Sequence, residues 1–367
     1  MLSKKQWIEK NILKLLEKFL TCTTFDRIVI EHRRKVNRIT GFYPHAVFFS
    51  KRKSKIKYCI VRYTTPTSDL LASGIQYVFC YHQLLKRGYT PLIDIEYAYS
   101  YKQGLLGEHN SWDLCFKQPI TVAEAVKQPY VLAAGELFSY SDDSIICMDI
   151  NADANDHFIH VKKENYKQYY SKIQKYTQPI WQVRDELIAE LDEEIWNRVS
   201  GHRIMGVFLR ENFSKDVPHT NMKDKEVYSN HPMLPGIEET IEIIKNQLAA
   251  WKYDFIFLST VYTDSLQRFI KEFGNKVLFI KRCRFNIDEP PKANFEMNER
   301  ELYDGFLENK FFRENVYKTY LKEVVALSRC NYLIGGASSG MAAALVMNGG
   351  KYEDIYILED KRKINRY

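Results

Sequence analysis

The chain has 367 residues, of which 45% are hydrophobic, and its formal net charge is +7 at pH 7. This length predicts two domains with sizeable cores, and the charge favours anionic partners such as nucleotide phosphates or acidic glycans. The seven cysteines contain no CxxC pair, which argues against zinc and against a disulfide framework. We expect a cytoplasmic protein, because the sequence shows no bilayer-spanning apolar run and no signal-peptide pattern at its start.

The first 57 residues are basic. Apolar residues recur at helical spacing through residues 4–20 with lysines between them, and basic clusters follow at residues 33–38 and 51–57. Such a helix packs on its own domain in most proteins, and the alternative is a peripheral contact with the anionic inner face of a membrane.

Residues 58–95 follow a βαβ pattern. We predict strands at residues 58–63 and 89–95 and a helix at residues 76–86, which together require a parallel sheet. Ligands bind at the carboxyl edge of such sheets. Ser73 and Gly74 follow the first strand and are candidate substrate-binding residues, while Asp94 and Glu96 end the second strand and are candidate catalytic carboxylates.

Residues 97–118 are polar and aromatic, and we predict a long functional loop. His109, Asn110 and Trp112 are its candidate substrate-binding residues. Trp112 would either stack on a sugar or anchor the loop, since tryptophan serves both roles. Residues 149–156 (DINADAND) resemble half of a calcium loop, but Ala154 and His160 replace the required glycine and glutamate, so we expect a turn and no metal.

Helices are predicted at residues 163–176 and 179–199, and we place a domain boundary after them. The amino-terminal domain would then span residues 1–200 and the carboxyl-terminal domain residues 201–367. In the second domain, strands at residues 204–209, 254–258 and 276–280 alternate with helices at 236–251, 265–273 and 314–328. This alternation predicts a second α/β domain with its own parallel sheet.

Residues 331–345 (NYLIGGASSGMAAAL) predict a strand, a small-residue turn and a helix. The backbone N–H groups at the start of a helix bind anions, most often phosphate. The candidate contacts are Gly335, Gly336, Ala337, Ser338 and Ser339. The alternative is a tight turn in which one serine caps the helix and nothing is bound.

Two further strand ends should meet this turn at one edge of the sheet. Arg210 ends the strand at residues 204–209, and Ser259 and Thr260 end the strand at residues 254–258. A guanidinium group facing a helix amino terminus suits a diphosphate, although Arg210 could instead form a surface ion pair. Neither GxxxxGK[ST] nor a strand followed by GxGxxG is present, which excludes a P-loop NTPase and disfavours a dinucleotide oxidoreductase.

Several of these segments resemble a known group of enzymes. The segments GVFLRENF, NHPMLPGIEETI, FIFLST and LSRCNYLIGGASSGMAAALVMNGGKYE occur in this order from residue 206 to residue 353. They resemble the donor-binding half of the O-fucosyltransferase-like glycosyltransferases, which include the nodulation and core α-1,6-fucosyltransferases and bacterial capsule or cell-wall relatives. SGIQYVFCYHQLLKRGYTPLID and GEHNSWDLCF resemble the first domain of the bacterial branch.

The resemblance implies a GT-B-like fold, with two Rossmann-like domains whose parallel sheets face a cleft. It implies an inverting, metal-independent glycosyltransferase without a cofactor, which moves a sugar, typically L-fucose from GDP-fucose, onto a glycan acceptor of surface polysaccharide or glycoconjugate synthesis. The partners would be this nucleotide-sugar and a glycan or lipid-linked glycan. Arg210 matches the arginine that holds the donor diphosphate, and Ser338 and Ser339 match the phosphate-contacting pair, while His231 is a further donor-side candidate.

Other readings stay open. Glu211, Asn212 and Phe213 stand where relatives carry another carboxylate–aromatic pattern, which keeps a catalytically silent nucleotide- or glycan-binding protein among the alternatives. A polysaccharide pyruvyl transferase-like enzyme is another alternative. A nucleic-acid binder is disfavoured, because no basic helix or RNP-like aromatic strand is present.

Overall fold

The computed structural model describes residues 58–62, 81, 85, 90–94, 110–125, 131–134, 165–209, 234–247, 249–282, 284, 310–336 and 338–358. The chain divides into two units, Met1–Ile150 and Asn151–Tyr367. The domain boundary predicted at residue 200 stays a prediction. The predicted amphipathic helix at residues 4–20 and the turn at residues 149–156 lie outside the described residues.

The first unit contains a three-stranded parallel sheet in the order β2-β1-β3. Its strands are β1 (Tyr58–Arg62), β2 (Thr90–Asp94) and β3 (Val131–Ala134). The two predicted strands are confirmed, whereas β3 was not predicted. Two short helices, α1 (Ser111–Cys115) and α2 (Val122–Ala125), follow β2 and contact it. The segment predicted as a loop at residues 97–118 therefore contains a helix.

The second unit contains a five-stranded sheet in the order β6-β5-β4-β7-β8, and every pair of neighbouring strands is parallel. The strands are β4 (Ile204–Phe208), β5 (Phe255–Ser259), β6 (Val277–Leu278), β7 (Tyr332–Gly336) and β8 (Asp354–Leu358). All residues of β4 and β7 are buried, as expected for parallel strands with both faces covered. The predicted α/β class with parallel sheets is confirmed.

Six α-helices are described in the second unit. They are α3 (Tyr166–Thr177), α4 (Asp185–Glu194), α5 (Ile237–Glu242), α6 (Thr263–Phe273), α7 (Lys310–Ser328) and α8 (Ser339–Asn348). The helix predicted at residues 179–199 is shorter, because Arg184 is extended and the chain enters α4 only at Asp185 and Glu186. Asp185 and Glu186 suit this position, because acidic side chains stabilise the amino terminus of a helix. The predicted helix at 236–251 continues beyond α5 only as a π-helical turn, Ile243–Gln247.

Helix α3 packs against the carboxyl end of α8. The Tyr166 hydroxyl donates to the Tyr352 carbonyl at 2.8 Å, and Gln174 Nε2 donates to the Met347 carbonyl at 2.6 Å. Gly349 ends α8 in the left-handed conformation (φ 67°), and a Cβ there would lie 2.1 Å from Gln174 Oε1. Glycine is therefore needed at this position for both its backbone and its small size. None of the described helices is long and apolar enough to cross a membrane.

Candidate functional site

The carboxyl ends of three neighbouring strands form one edge of the second sheet. Phe208, the last residue of β4, pairs with Ser259 of β5 on one side and with Gly335 of β7 on the other. The Leu209 backbone N–H, one residue further on, donates to the Ser259 carbonyl at 3.0 Å. The end of β4 and Leu209 therefore lie between the ends of β5 and β7. That Arg210 meets them stays a prediction.

Helix α8 begins at this edge. Ser338 is its N-cap residue, with extended backbone angles (φ −158°, ψ 163°), and its Oγ accepts a hydrogen bond from the Met341 backbone N–H at 3.3 Å. Ser338 is buried and Ser339 is half-buried. The predicted capping role is thus present. Capping uses the acceptor side of the hydroxyl, so its O–H proton can still be donated to an anion.

Three glycines of this element allow close packing. A Cβ at Gly336 would lie 2.2 Å from Leu234 Cδ2, and one at Gly335 would lie 3.1 Å from Phe208 Cβ. A Cβ at Gly340 would lie 2.6 Å from both Phe208 Cζ and the Tyr320 hydroxyl. These distances are shorter than ordinary carbon contacts of about 3.5–4.0 Å. The glycines therefore set how closely the first turn of α8 approaches the end of β4.

A buried charge cluster, formed by Glu323, Arg282, Arg284 and Ser259, lies at the same edge. Glu323 of α7 is 1% exposed, and its Oε2 accepts hydrogen bonds from Ser259 Oγ at 3.0 Å and from Arg282 Nη1 at 2.7 Å. Arg284 Nη2 lies 3.8 Å from Glu323 Oε1. The cluster joins α7 to the end of β5 and to the segment after β6.

Burial raises the pKa of the Glu323 carboxyl above its ordinary value, and the two arginines and the Ser259 hydroxyl oppose this shift. Desolvation disfavours the charged carboxylate, whereas nearby guanidinium groups favour it. Sequence reasoning missed this cluster. The signal for it was a glutamate among the buried residues Leu321, Val324 and Val325 of α7, since carboxylates are rarely buried unless they are paired.

The two predicted binding residues at the end of β5 are both buried and hydrogen-bonded within the protein. Ser259 donates to Glu323 as described, and Thr260 Oγ1 accepts from the Tyr262 backbone N–H at 3.2 Å. The Thr260 carbonyl accepts from Arg284 Nε at 3.2 Å, and Arg284 Nη2 donates to the Ile280 carbonyl at 3.0 Å. These bonds tie the ends of β5 and β6 together.

In the first unit, two predicted binding residues lie beside β2. Asn110 is the N-cap of α1, and its side chain donates to the Ile93 carbonyl at 2.8 Å. Trp112 is 1% exposed and stacks on Phe116, with 4.2 Å between the ring centroids. Its burial favours the anchoring role over stacking on a sugar. Asp94 ends β2 and pairs in register with Arg62 of β1.

The remaining predicted residues lie outside the described residues. They are Ser73, Gly74, Glu96, His109, Arg210, His231 and Ala337, together with the side chain of Asp94. Within the described ranges, no group of three or more histidine, cysteine or carboxylate side chains is placed to hold a metal ion.

Comparison with known proteins returned solved structures alone. No protein-family model matches the chain, and no curated protein matches it. The α-1,6-fucosyltransferase NodZ soaked with GDP-fucose is similar at a TM-score of 0.41 and 16% identity, covering 80% of this chain and 93% of its own.

Two other fucosyltransferase structures are similar at the same level. The fucosyltransferase FUT1 of Arabidopsis thaliana in complex with GDP gives a TM-score of 0.38 and 10% identity, covering 95% of this chain and 78% of its own. POFUT1 in complex with GDP gives 0.40 and 8% identity, covering 84% and 99%.

Proposed function

We propose that this chain is a glycosyltransferase that uses a GDP-sugar, with GDP-fucose as the donor, and transfers the sugar with inversion onto a glycan acceptor. The observation that carries the proposal is the carboxyl edge of the second sheet. There the strand leading to Arg210 lies between Ser259 and Gly335, and helix α8 begins from the same edge at Ser338. The order of the resembling sequence motifs supports the same assignment.

The proposed chemistry follows from where charge develops. Glycosyl transfer passes through an oxocarbenium-like state in which negative charge grows on the departing diphosphate. The amino terminus of α8 carries partial positive charge, and the Arg210 guanidinium would add a planar fork of donors. Groups that bind this charge more strongly in the transition state than in the ground state accelerate transfer.

The acceptor side belongs to the first unit in this proposal. Asp94 and Glu96 are the proposed bases for the acceptor hydroxyl, and the two Rossmann-like domains would face each other across a GT-B-like cleft. We propose that the acceptor is a glycan or lipid-linked glycan of a surface polysaccharide, used in the cytoplasm or at the inner face of the membrane. No metal or cofactor has a role in the proposed reaction.

A nucleotide panel tests the donor class. We expect GDP to raise the midpoint of thermal unfolding more than UDP or CMP does. Ligand at about 100 times its Kd stabilises the folded state by about 2.7 kcal/mol, which corresponds to a shift of several degrees for a unit of about 200 residues. A shift with UDP alone would contradict the GDP assignment, and a shift with phosphoenolpyruvate alone would favour a pyruvyl transferase.

Turnover separates an enzyme from a silent binding protein. With GDP-fucose as the donor, we expect release of GDP in the absence of added divalent metal and unchanged by EDTA. Transfer to an acceptor and hydrolysis of the donor both release GDP, so this measurement counts either reaction. GDP binding without any GDP release from GDP-fucose would support the silent binding protein.

A further inference from the structure

We propose that Glu323 is a positioning residue of the donor site: it holds the guanidinium groups of Arg282 and Arg284 at the carboxyl edge, where their charge favours a bound diphosphate. This inference rests on the proposed function, because it names additional residues of the same site. Glu323 lies on α7, far in sequence from both strands that it joins, and no sequence motif pointed to it.

The position of the cluster is the first argument. Ser259, which donates to Glu323, is the residue whose carbonyl accepts from Leu209 at the end of β4. Arg284 contacts the carbonyl groups of Thr260 and Ile280, beyond the ends of β5 and β6. Arg284 therefore lies beside the end of β5, which is a direct neighbour of β4 in the sheet. Arg282 is joined to the same strand end through Glu323 and Ser259.

The burial of the cluster is the second argument. The side chains of Arg282 and Arg284 are 9% and 6% exposed, and that of Glu323 is 1% exposed. Among the described residues, Glu323 is the one buried carboxylate. Apolar residues of similar size stabilise a core as well as a buried ion pair does, or better, so stability alone does not account for these three charges.

The incomplete bonding of Glu323 is the third argument. Its Oε2 accepts two hydrogen bonds, but its buried Oε1 accepts none. A structural ion pair would be expected to use both oxygens, because an unpaired buried acceptor is unfavourable. Here the carboxylate holds Arg282 firmly through one oxygen and attracts Arg284 only at longer range. The carboxylate and the carbonyl groups of Thr260 and Ile280 together position the Arg284 guanidinium group.

Binding of inorganic pyrophosphate to the full chain tests the inference. The test variants are Glu323→Gln, which removes the charge at constant size, and Arg282→Lys, which keeps the charge but loses the planar fork. The matched control is Glu353→Gln, because Glu353 pairs with Arg203 near the amino ends of β7 and β8 in the same sheet. The readout is the Kd per folded molecule, measured by calorimetry, with circular dichroism and thermal unfolding as folding checks.

We expect the Kd for pyrophosphate to rise at least tenfold in E323Q and severalfold in R282K, and to stay within twofold of wild type in E353Q. A purely structural role would lower the unfolding midpoint without changing the Kd of the folded fraction. Wild-type Kd values in both test variants would overturn the inference, as would a wild-type chain that does not bind pyrophosphate.

Should E323Q fail to fold, R282K and Ser259→Ala decide the question, because each keeps the Glu323 carboxylate in place. A raised Kd in these two variants supports the inference, and an unchanged Kd overturns it. The proposed function can fail separately from this inference. The chain could show the expected pyrophosphate effects without preferring GDP or releasing it from GDP-fucose. The anion site would then stand, and the fucosyltransferase assignment would be wrong.

Discussion

Gly340→Ala tests whether close packing fixes the start of α8. In an ordinary helix, replacing glycine by alanine stabilises a protein by about 0.4–1 kcal/mol. At this position the added Cβ would lie 2.6 Å from Phe208 Cζ and from the Tyr320 hydroxyl, about 1 Å inside normal contact. Overpacking of this kind costs about 1–3 kcal/mol. The clash therefore outweighs the propensity gain, and we expect a net loss of about 1–2 kcal/mol.

Urea and thermal unfolding measure this loss, which corresponds to about 2–4 °C for each kcal/mol in a unit of this size. The control is Ala342→Gly in the same helix, which should also destabilise because of its lower helix propensity. Phe208→Leu removes one of the two groups that the new methyl group meets, and the Tyr320 hydroxyl stays in place. The double variant should therefore be about 1 kcal/mol more stable than the sum of the two single effects predicts. A Gly340→Ala variant more stable than wild type, or strictly additive effects with Phe208→Leu, would refute the packing argument.

Three further predictions concern single side chains. Ser338→Ala should lower the free energy of unfolding, measured with urea, by about 0.5–2 kcal/mol, because the hydrogen bond that caps Met341 is lost. Ser338→Thr should retain most of this stabilisation. Equal stabilities of Ser338→Ala and wild type would contradict the capping role. Burial raises the pKa of Tyr166 to about 12, so stability contributed by its neutral hydroxyl is complete below about pH 10 and is lost as the pH rises towards 12. The tyrosinate absorbance difference between wild type and Tyr166→Phe should place this midpoint, and a midpoint near 10 would disagree. Arg210→Ala should reduce turnover of GDP-fucose on the order of a hundredfold, and near-normal turnover would remove Arg210 from the mechanism.

The strands nearest the site could be predicted because their signals are local. β4 and β5 are short apolar runs bounded by polar residues, and the structure places them within one residue of the prediction. The turn before α8 was equally clear, since two glycines and two serines separate an apolar run from an alanine-rich helix. A buried parallel strand is apolar on both faces, so it can be recognised as a continuous apolar run without knowing which strands lie beside it.

The missed features depend on contacts between distant parts of the chain. β3 (VLAA) has four small or branched residues, too few for a clear period, and it is a strand because it pairs with β1. The bonds from Glu323 span 64 residues to Ser259 and 41 residues to Arg282. No local pattern predicts such pairs. The sequence likewise could not decide between the two roles of Trp112, because Trp112 stacks on Phe116 only once α1 has folded.

A glycine-rich turn before a helix is weak evidence for a ligand, because small residues also suit turns that bind nothing. Here packing is also what would make it a site. Phe208 lies where a side chain at Gly335 or at Gly340 would be, so the end of β4 and the first turn of α8 fix each other's position. The helix terminus is thereby held beside the strand that continues to Arg210. A substitution that moves α8 away from Phe208 should therefore weaken nucleotide binding as well as stability.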